Sequence, residues 1–138
     1  MTQVDFHTNV GDKLAYACRL ARKAYLAGQP VLVTGEAQIL QAFDALLWTF
    51  SPLDFIPHCA LGSELAAVTP VVLAEQFDDA PHYRILLNLG ATVPERFARF
   101  ERLLEVVGDA PDDLTAGRER YRFYRDRGYP MNTYKPNV

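Results

Sequence analysis

Cysteine is scarce in this chain: Cys18 and Cys59 are the only two in 138 residues, they lie far apart, and they form no CxxC. That excludes a disulfide scaffold and a thiolate zinc site, and both are read as buried small hydrophobes. Serine is scarcer than usual too. Ser51 and Ser63 are the only candidates for a serine nucleophile, and neither sits in GxSxG. Three histidines, His7, His58 and His82, are spaced too widely to pair as metal ligands, so no metal and no cofactor is expected. His7 reads as a satisfied structural histidine in a strand and His58 as a turn cap after Pro57. No apolar run approaches the ~20 residues of a membrane span, so no membrane contact is expected. The opening MTQVDFHTNV has an early acid and no basic segment followed by an apolar one, so it does not read as a signal peptide and the expected address is the cytoplasm.

A glycine-rich phosphate loop is also missing. Gln29–Thr34 reads as a short buried strand running into Gly35 and then a helix, which is the right context for one. Yet TGEAQ (34–38) holds a single glycine, with no GxGxxG and no following lysine. Without those glycines a backbone cannot approach a pyrophosphate closely. The acid pairs Asp78–Asp79 and Asp112–Asp113 lie in polar, turn-like contexts and read as solvated or capping groups rather than an acid/base couple.

What is present is an ordinary globular composition, 49% hydrophobic and 22% charged, in a length that suits one domain over residues 1–138. Val4–Thr8 alternates as a strand. Gly11–Gly28 carries Leu14, Ala17, Ala21 and Ala24 at helical spacing, with Asp12 as N-cap and Gly28 as stop. Glu36–Trp48 is helical again, with Ile39, Leu40, Phe43, Leu46 and Leu47 on one side. Val71–Glu75, Arg84–Leu89 and Arg102–Val107 read as strands, with a short helical turn near Pro94–Phe97. Asp109–Arg127 is the last long helix, capped by Asp109 or Asp112 and ended by Gly128. Tyr129–Val138 reads as a Pro-bearing tail. Strand–helix alternation of this kind implies an α/β domain of Rossmann-like type with a largely parallel sheet flanked by helices.

Net charge is −3, but it is unevenly spread. Residues 1–117 carry 8 Lys/Arg and 15 Asp/Glu, whereas residues 118–138 carry 6 basic groups and 2 acids. An acidic body disfavours general phosphate binding, and a basic patch upon it suits a defined acidic partner. Within GRERYRFYRDRG (117–128), residues i, i+3, i+4 and i+7 share a helical face. Arg118, Tyr121, Arg122 and Arg125 meet that spacing, three guanidiniums around one phenol, while Phe123 and Tyr124 point to the core. Such a strip is either a solvated basic face or a site for carboxylates, which arginine forks grip in pairs. WTFSPLDFIPH (48–58) gathers the only tryptophan and two phenylalanines in a connection. Those rings either fold into the core or form an exposed patch of the kind that anchors interfaces.

Taken together, LLWTFSPLDFIPH, LLNLG, FERLLEVV and GRERYRFYRDRGYPMNTY, in this order along nearly the whole chain, resemble the chi subunit family of bacterial DNA polymerase III. The resemblance implies a Rossmann-like adaptor without enzymatic activity, part of the clamp loader during DNA replication. Its implied partners are the psi subunit and the acidic C-terminal tail of the single-stranded-DNA-binding protein (SSB), with DNA reached only indirectly. Carried over by position, the tail site is Arg118, Tyr121 and Arg122, with Val107 lining the pocket and Arg125 facing upstream acids. Arg122 stands where the family often has lysine, which keeps the charge and allows a bidentate grip. The psi surface centres on Trp48 and Phe55, with a helicase-like partner at that surface as a further expectation. Two other readings stand beside this one: a small Rossmann-type nucleotide-binding enzyme, and direct nucleic-acid binding through the arginine strip.

Overall fold

In a computed structural model that describes residues 1–50 and 55–136, seven strands form one sheet. They are β1 (Gln3–Val10), β2 (Val31–Thr34), β3 (His58–Ala60), β4 (Val71–Ala74), β5 (Ile85–Asn88), β6 (Arg102–Gly108) and β7 (Met131–Tyr134). Their order is β3-β4-β2-β5-β6-β1-β7, and every pairing is parallel. Three helices flank the sheet: α1 (Lys13–Leu26), α2 (Ala37–Thr49) and α3 (Pro111–Asp126). This is the Rossmann-like α/β arrangement expected from the strand–helix alternation.

A parallel sheet covered on both faces needs strands that are apolar throughout, and β2, β4 and β5 are buried at every position. Their alternate residues feed two cores. Val31, Val33, Val71, Ile85, Leu87, Leu104 and Val106 pack with Ala17, Cys18 and Ala21 of α1 and Leu40, Phe43 and Leu47 of α2. Leu32, Val72, Leu86, Leu103, Val4 and Phe6 pack on the other face with Phe97, Phe100 and Tyr124 of α3. Cys18 is fully buried, and burial pushes its thiol up to about 12, far from a reactive thiolate. Cys59 is only half-buried.

The predicted helix boundaries hold for α1. Asp12 Oδ1 accepts from the Ala15 N–H at 3.1 Å, and Gly28, at φ 72°, turns the chain so that the Gln29 N–H reaches Ala24 O. At α3 the expected carboxylate cap is replaced. Ala110 occupies the N-cap and makes no side-chain cap bond, so neither Asp109 nor Asp112 caps. Pro111 opens the helix, where its missing N–H costs nothing. Asp113 instead reaches out of the first turn, accepting from the Gly108 N–H at 2.6 Å and pairing with Lys13 Nζ at 3.0 Å.

Two strands escaped the sequence reading. The stretch expected as a tail forms β7, paired with β1 from Val4↔Met131 to His7↔Tyr134. His58–Ala60 forms β3 at the other edge. Both are short edge strands whose hydrogen bonds run to one neighbour only, so neither needs the apolar run that marks an interior strand. β1 is longer than predicted because a register shift between His7 and Val10, with Asn9 at φ 59°, carries it past Thr8.

Candidate functional site

The α3 strip is positioned from beneath. Glu105, on β6, is wholly buried, and it would be an isolated charge without partners. Arg120 Nε donates to its Oε1 at 3.0 Å, the Tyr124 hydroxyl to its Oε2 at 2.6 Å, and Asn88 Nδ2 reaches both oxygens at 3.0 and 3.1 Å. Burial pushes the Glu105 carboxyl upward, while Arg120, Tyr124 and Asn88 pull it down. Burial, and after it the same carboxylate, pushes the Tyr124 phenol strongly upward, so Tyr124 stays a donor. Arg120 Nη1 also donates to Ala91 O at 3.0 Å. This network pins the buried side of α3 to β5 and β6. Arg120, though inside the basic run, is therefore part of the core and not of the strip.

A second device brings α3 close. Gly117 faces Val107, and a Cβ there would lie 2.8 Å from both Val107 methyl carbons. Tyr121, one turn on, is 37% exposed and sets its ring edge-on to Phe6 at 5.3 Å between centroids. Around it the arginines differ. Arg118 and Arg122 are exposed and make no hydrogen bond or ion pair among the described residues. Arg125 is engaged by its neighbour Asp126 at 3.0 Å. Arg127 lies over the Phe123 ring at 3.5 Å and donates to Phe123 O. The structure thus brings Arg118, Tyr121 and Arg122 to one outer face, with the buried Val107 under the first turn of that face. Phe123 is half-buried against Phe97, and Tyr124 is fully buried, as their spacing predicted.

The aromatic connection divides between the two readings offered for it. Phe50 and Ile56 go into the core. Trp48 and Phe55 stay outside, 52% and 63% exposed, with ring centroids 5.4 Å apart. Ser51, Pro52, Leu53 and Asp54 lie outside the described residues. His58 supports the pair from below, 4.5 Å from the Trp48 ring. Its Nδ1–H donates to Ile56 O at 2.7 Å, as a turn cap should. Its Nε2 lies 3.1 Å from Asp44 Oδ1, within ion-pair range but off the line of a hydrogen bond.

At the C-terminal ends of β2, β4 and β5 the sheet opens into a cleft of about 630 Å³, where α/β folds hold ligands. Its charged lining is Glu36, Glu75, Asp78, Glu95 and one cation, Arg96, which is already paired with Asp78 at 3.1 Å and Glu95 at 3.3 Å. An acidic mouth with its arginine occupied is poorly suited to a phosphate, in line with the missing glycine fingerprint. Asp79 pairs loosely with Arg99 at 3.8 Å and Asp112 is exposed, whereas Asp113 is tied to the Gly108 N–H and Lys13. Among the described residues no helix is long and apolar enough to cross a membrane.

Sequence reasoning missed Glu105, Asn88 and Gly117. The signal for Glu105 was a lone acid in the apolar strand RLLEVV, which burial makes costly unless a cation meets it, and Arg120 was the cation available.

Comparison with known proteins gives the chain its relatives. The protein-family model for the DNA polymerase III chi subunit, HolC, matches residues 1–132. The chain is 36% identical to the DNA polymerase III subunit chi of Pseudomonas aeruginosa, over 98% of this chain and 97% of that one. It is 30% identical to the Haemophilus influenzae protein of the same name, over 85% of this chain and 83% of that one. The Escherichia coli subunit chi is 28% identical, over 84% and 80%.

Proposed function

This chain belongs to the DNA polymerase III chi subunit family, and from that premise we propose that it is a non-catalytic cytoplasmic adaptor in the clamp-loader part of the replication complex. It has two docking faces. The outer side of α3 takes the acidic C-terminal tail of SSB: the tail's last apolar side chain lies against Tyr121, on the helix that Val107 supports from beneath, its terminal carboxylate meets Arg118 or Arg122, and Arg125 attracts upstream acids. The face of Trp48 and Phe55 takes the psi subunit, or a helicase-like protein in its place.

The observation that carries the reading is the contrast within one helix. Arg120 is consumed by Glu105, Arg125 is shared with the exposed Asp126, and Arg127 at the C-cap lies over Phe123, while Arg118 and Arg122 flank an exposed phenol unpaired. A guanidinium that no internal acid neutralises is free to grip a carboxylate. Exposed charge contacts are screened, so affinity is on the order of micromolar and falls with salt.

The test is a titration of a labelled acidic tail peptide into wild type and Arg118→Ala. Arg118→Ala weakens binding, and deleting the peptide's last residue abolishes it. Equal affinities for the two proteins would remove the tail from this face.

A further inference from the structure

The face of β1 opposite α3 is unlike the rest of the sheet. Val4 and Phe6 supply one core, but the alternate residues that turn toward the α1 side are Asp5 and His7. Their register partners on β6, Leu104 and Val106, are apolar. Asp5 is neutralised there by Arg102 at 2.7 Å and is also approached by Asn132 at 3.3 Å and Gln3 at 3.2 Å. His7 shares a 2.6 Å hydrogen bond between its Nδ1 and the Tyr16 hydroxyl of α1, and it stacks on Tyr134 of β7 at 5.1 Å and 24°. Arg19 lies over the Tyr16 ring at 5.1 Å. These contacts make one continuous line across the open edge of the sheet: Arg19, Tyr16, His7, Tyr134. Tyr134 remains 46% exposed and Lys135 follows it at the surface.

The charge around this line departs from the rest of the acidic body. Of the eight basic groups in residues 1–117, four lie on α1 (Lys13, Arg19, Arg22, Lys23); Lys13 is tied to Asp113, and Arg19 and Lys23 are exposed. On the ring line itself Asp5 and its partner Arg102 act on His7 in opposite senses, and Lys23 and Arg19 are the further cations that act on His7 and Tyr16. One exposed ring, Tyr134, stacked on the buried His7 and bordered by the exposed Arg19, Lys23 and Lys135, matches a ligand that pairs a π face with a negative charge, as each nucleotide of single-stranded nucleic acid does.

We propose that this edge, on the side of the sheet opposite the α3 strip, is a contact site for single-stranded nucleic acid, with a base stacking on Tyr134 and the backbone phosphates running between Arg19 and Lys135. The contact is short and local, since the −7 balance of residues 1–117 works against an extended footprint. It goes beyond the adaptor reading, in which DNA is met only through protein, and stands whether or not α3 binds a tail.

The test is fluorescence anisotropy of a labelled oligothymidylate with the full chain at low salt, for wild type, Tyr134→Ala, Lys135→Glu, Arg19→Glu and Arg118→Ala. Tyr134→Ala is expected to weaken binding about fivefold or more, the loss of one stacked base. Arg19→Glu and Lys135→Glu also weaken it, Arg118→Ala leaves it unchanged, and an abasic strand of the same length binds less tightly. Lys135 is exposed, so Lys135→Glu keeps the test informative if Tyr134→Ala disturbs β7. The proposal is overturned if wild type does not bind at low salt, if these edge variants match wild type, or if Arg118→Ala is the variant that loses binding. It is also overturned if the abasic strand binds equally well, or if an oligoglutamate peptide displaces the strand, which would make the edge a surface for an acidic protein.

Discussion

Gly117 on α3 and Val107 on β6 are closer than a side chain at 117 would allow: a methyl group on Gly117 would overlap both Val107 methyls at 2.8 Å. Because Val107 is buried under the helix, the clash cannot be relieved by swinging a side chain into solvent. Gly117→Ala should therefore lose more from overpacking, about 1–3 kcal/mol, than the ~1 kcal/mol that alanine gains in a helix. Denaturant unfolding measures the balance. A net gain in stability would mean that α3 rises freely from the sheet.

Arg120 should behave as a core residue. Removing it leaves Glu105 buried without its cation, which costs on the order of 3–5 kcal/mol. Arg120→Ala is expected to lower the denaturant midpoint severely, whereas Arg118→Ala and Arg122→Ala leave it near wild type. Equal stability of all three variants would contradict the buried network.

Among the exposed arginines the loss of tail-peptide affinity should be graded. Arg118→Ala and Arg122→Ala each cost ~1–3 kcal/mol of binding. Arg125→Ala costs less, because Asp126 already shares its guanidinium. Isothermal titration of the three variants gives the order, and Arg125→Ala as the most damaging change would reverse it.

Trp48→Ala and Phe55→Ala remove rings that are more than half exposed, so the thermal midpoint should shift little. Capture of a second partner from native lysate should be lost while tail-peptide binding persists. Loss of both partners together would mean one shared face.

Asp113 gives the chain an acid-sensitive tie between α1 and α3. Burial pushes its carboxyl up, but the Gly108 N–H and Lys13 outweigh that and hold it below the ordinary 3.8. A carboxylate held low in the folded state adds stability above its unfolded value, and that contribution disappears as pH falls through the folded one. Wild type should therefore lose stability below about pH 4 more steeply than Asp113→Asn. Unfolding midpoints at several acidic pH values check this, and parallel curves would remove Asp113 as the cause.

The sequence by itself determined the alternation of strands and helices, because interior parallel strands must be apolar on both faces and α1 and α2 must show a 3.6-residue stripe. It determined the strip as well, since helical spacing alone groups Arg118, Tyr121, Arg122 and Arg125. It did not determine which arginines are available. Arg120 and Arg122 look alike in GRERYR, and only the arrival of β6 beneath α3 decides that one meets Glu105 and the other meets solvent. The same holds at the sheet edges. MNTY and HCA carry no interior-strand signature, and they become strands because β1 and β4 present unpaired backbone groups beside them. Tertiary structure decided these points because burial and edge pairing are set by what lies across the fold, and a residue's sequence neighbours do not record it.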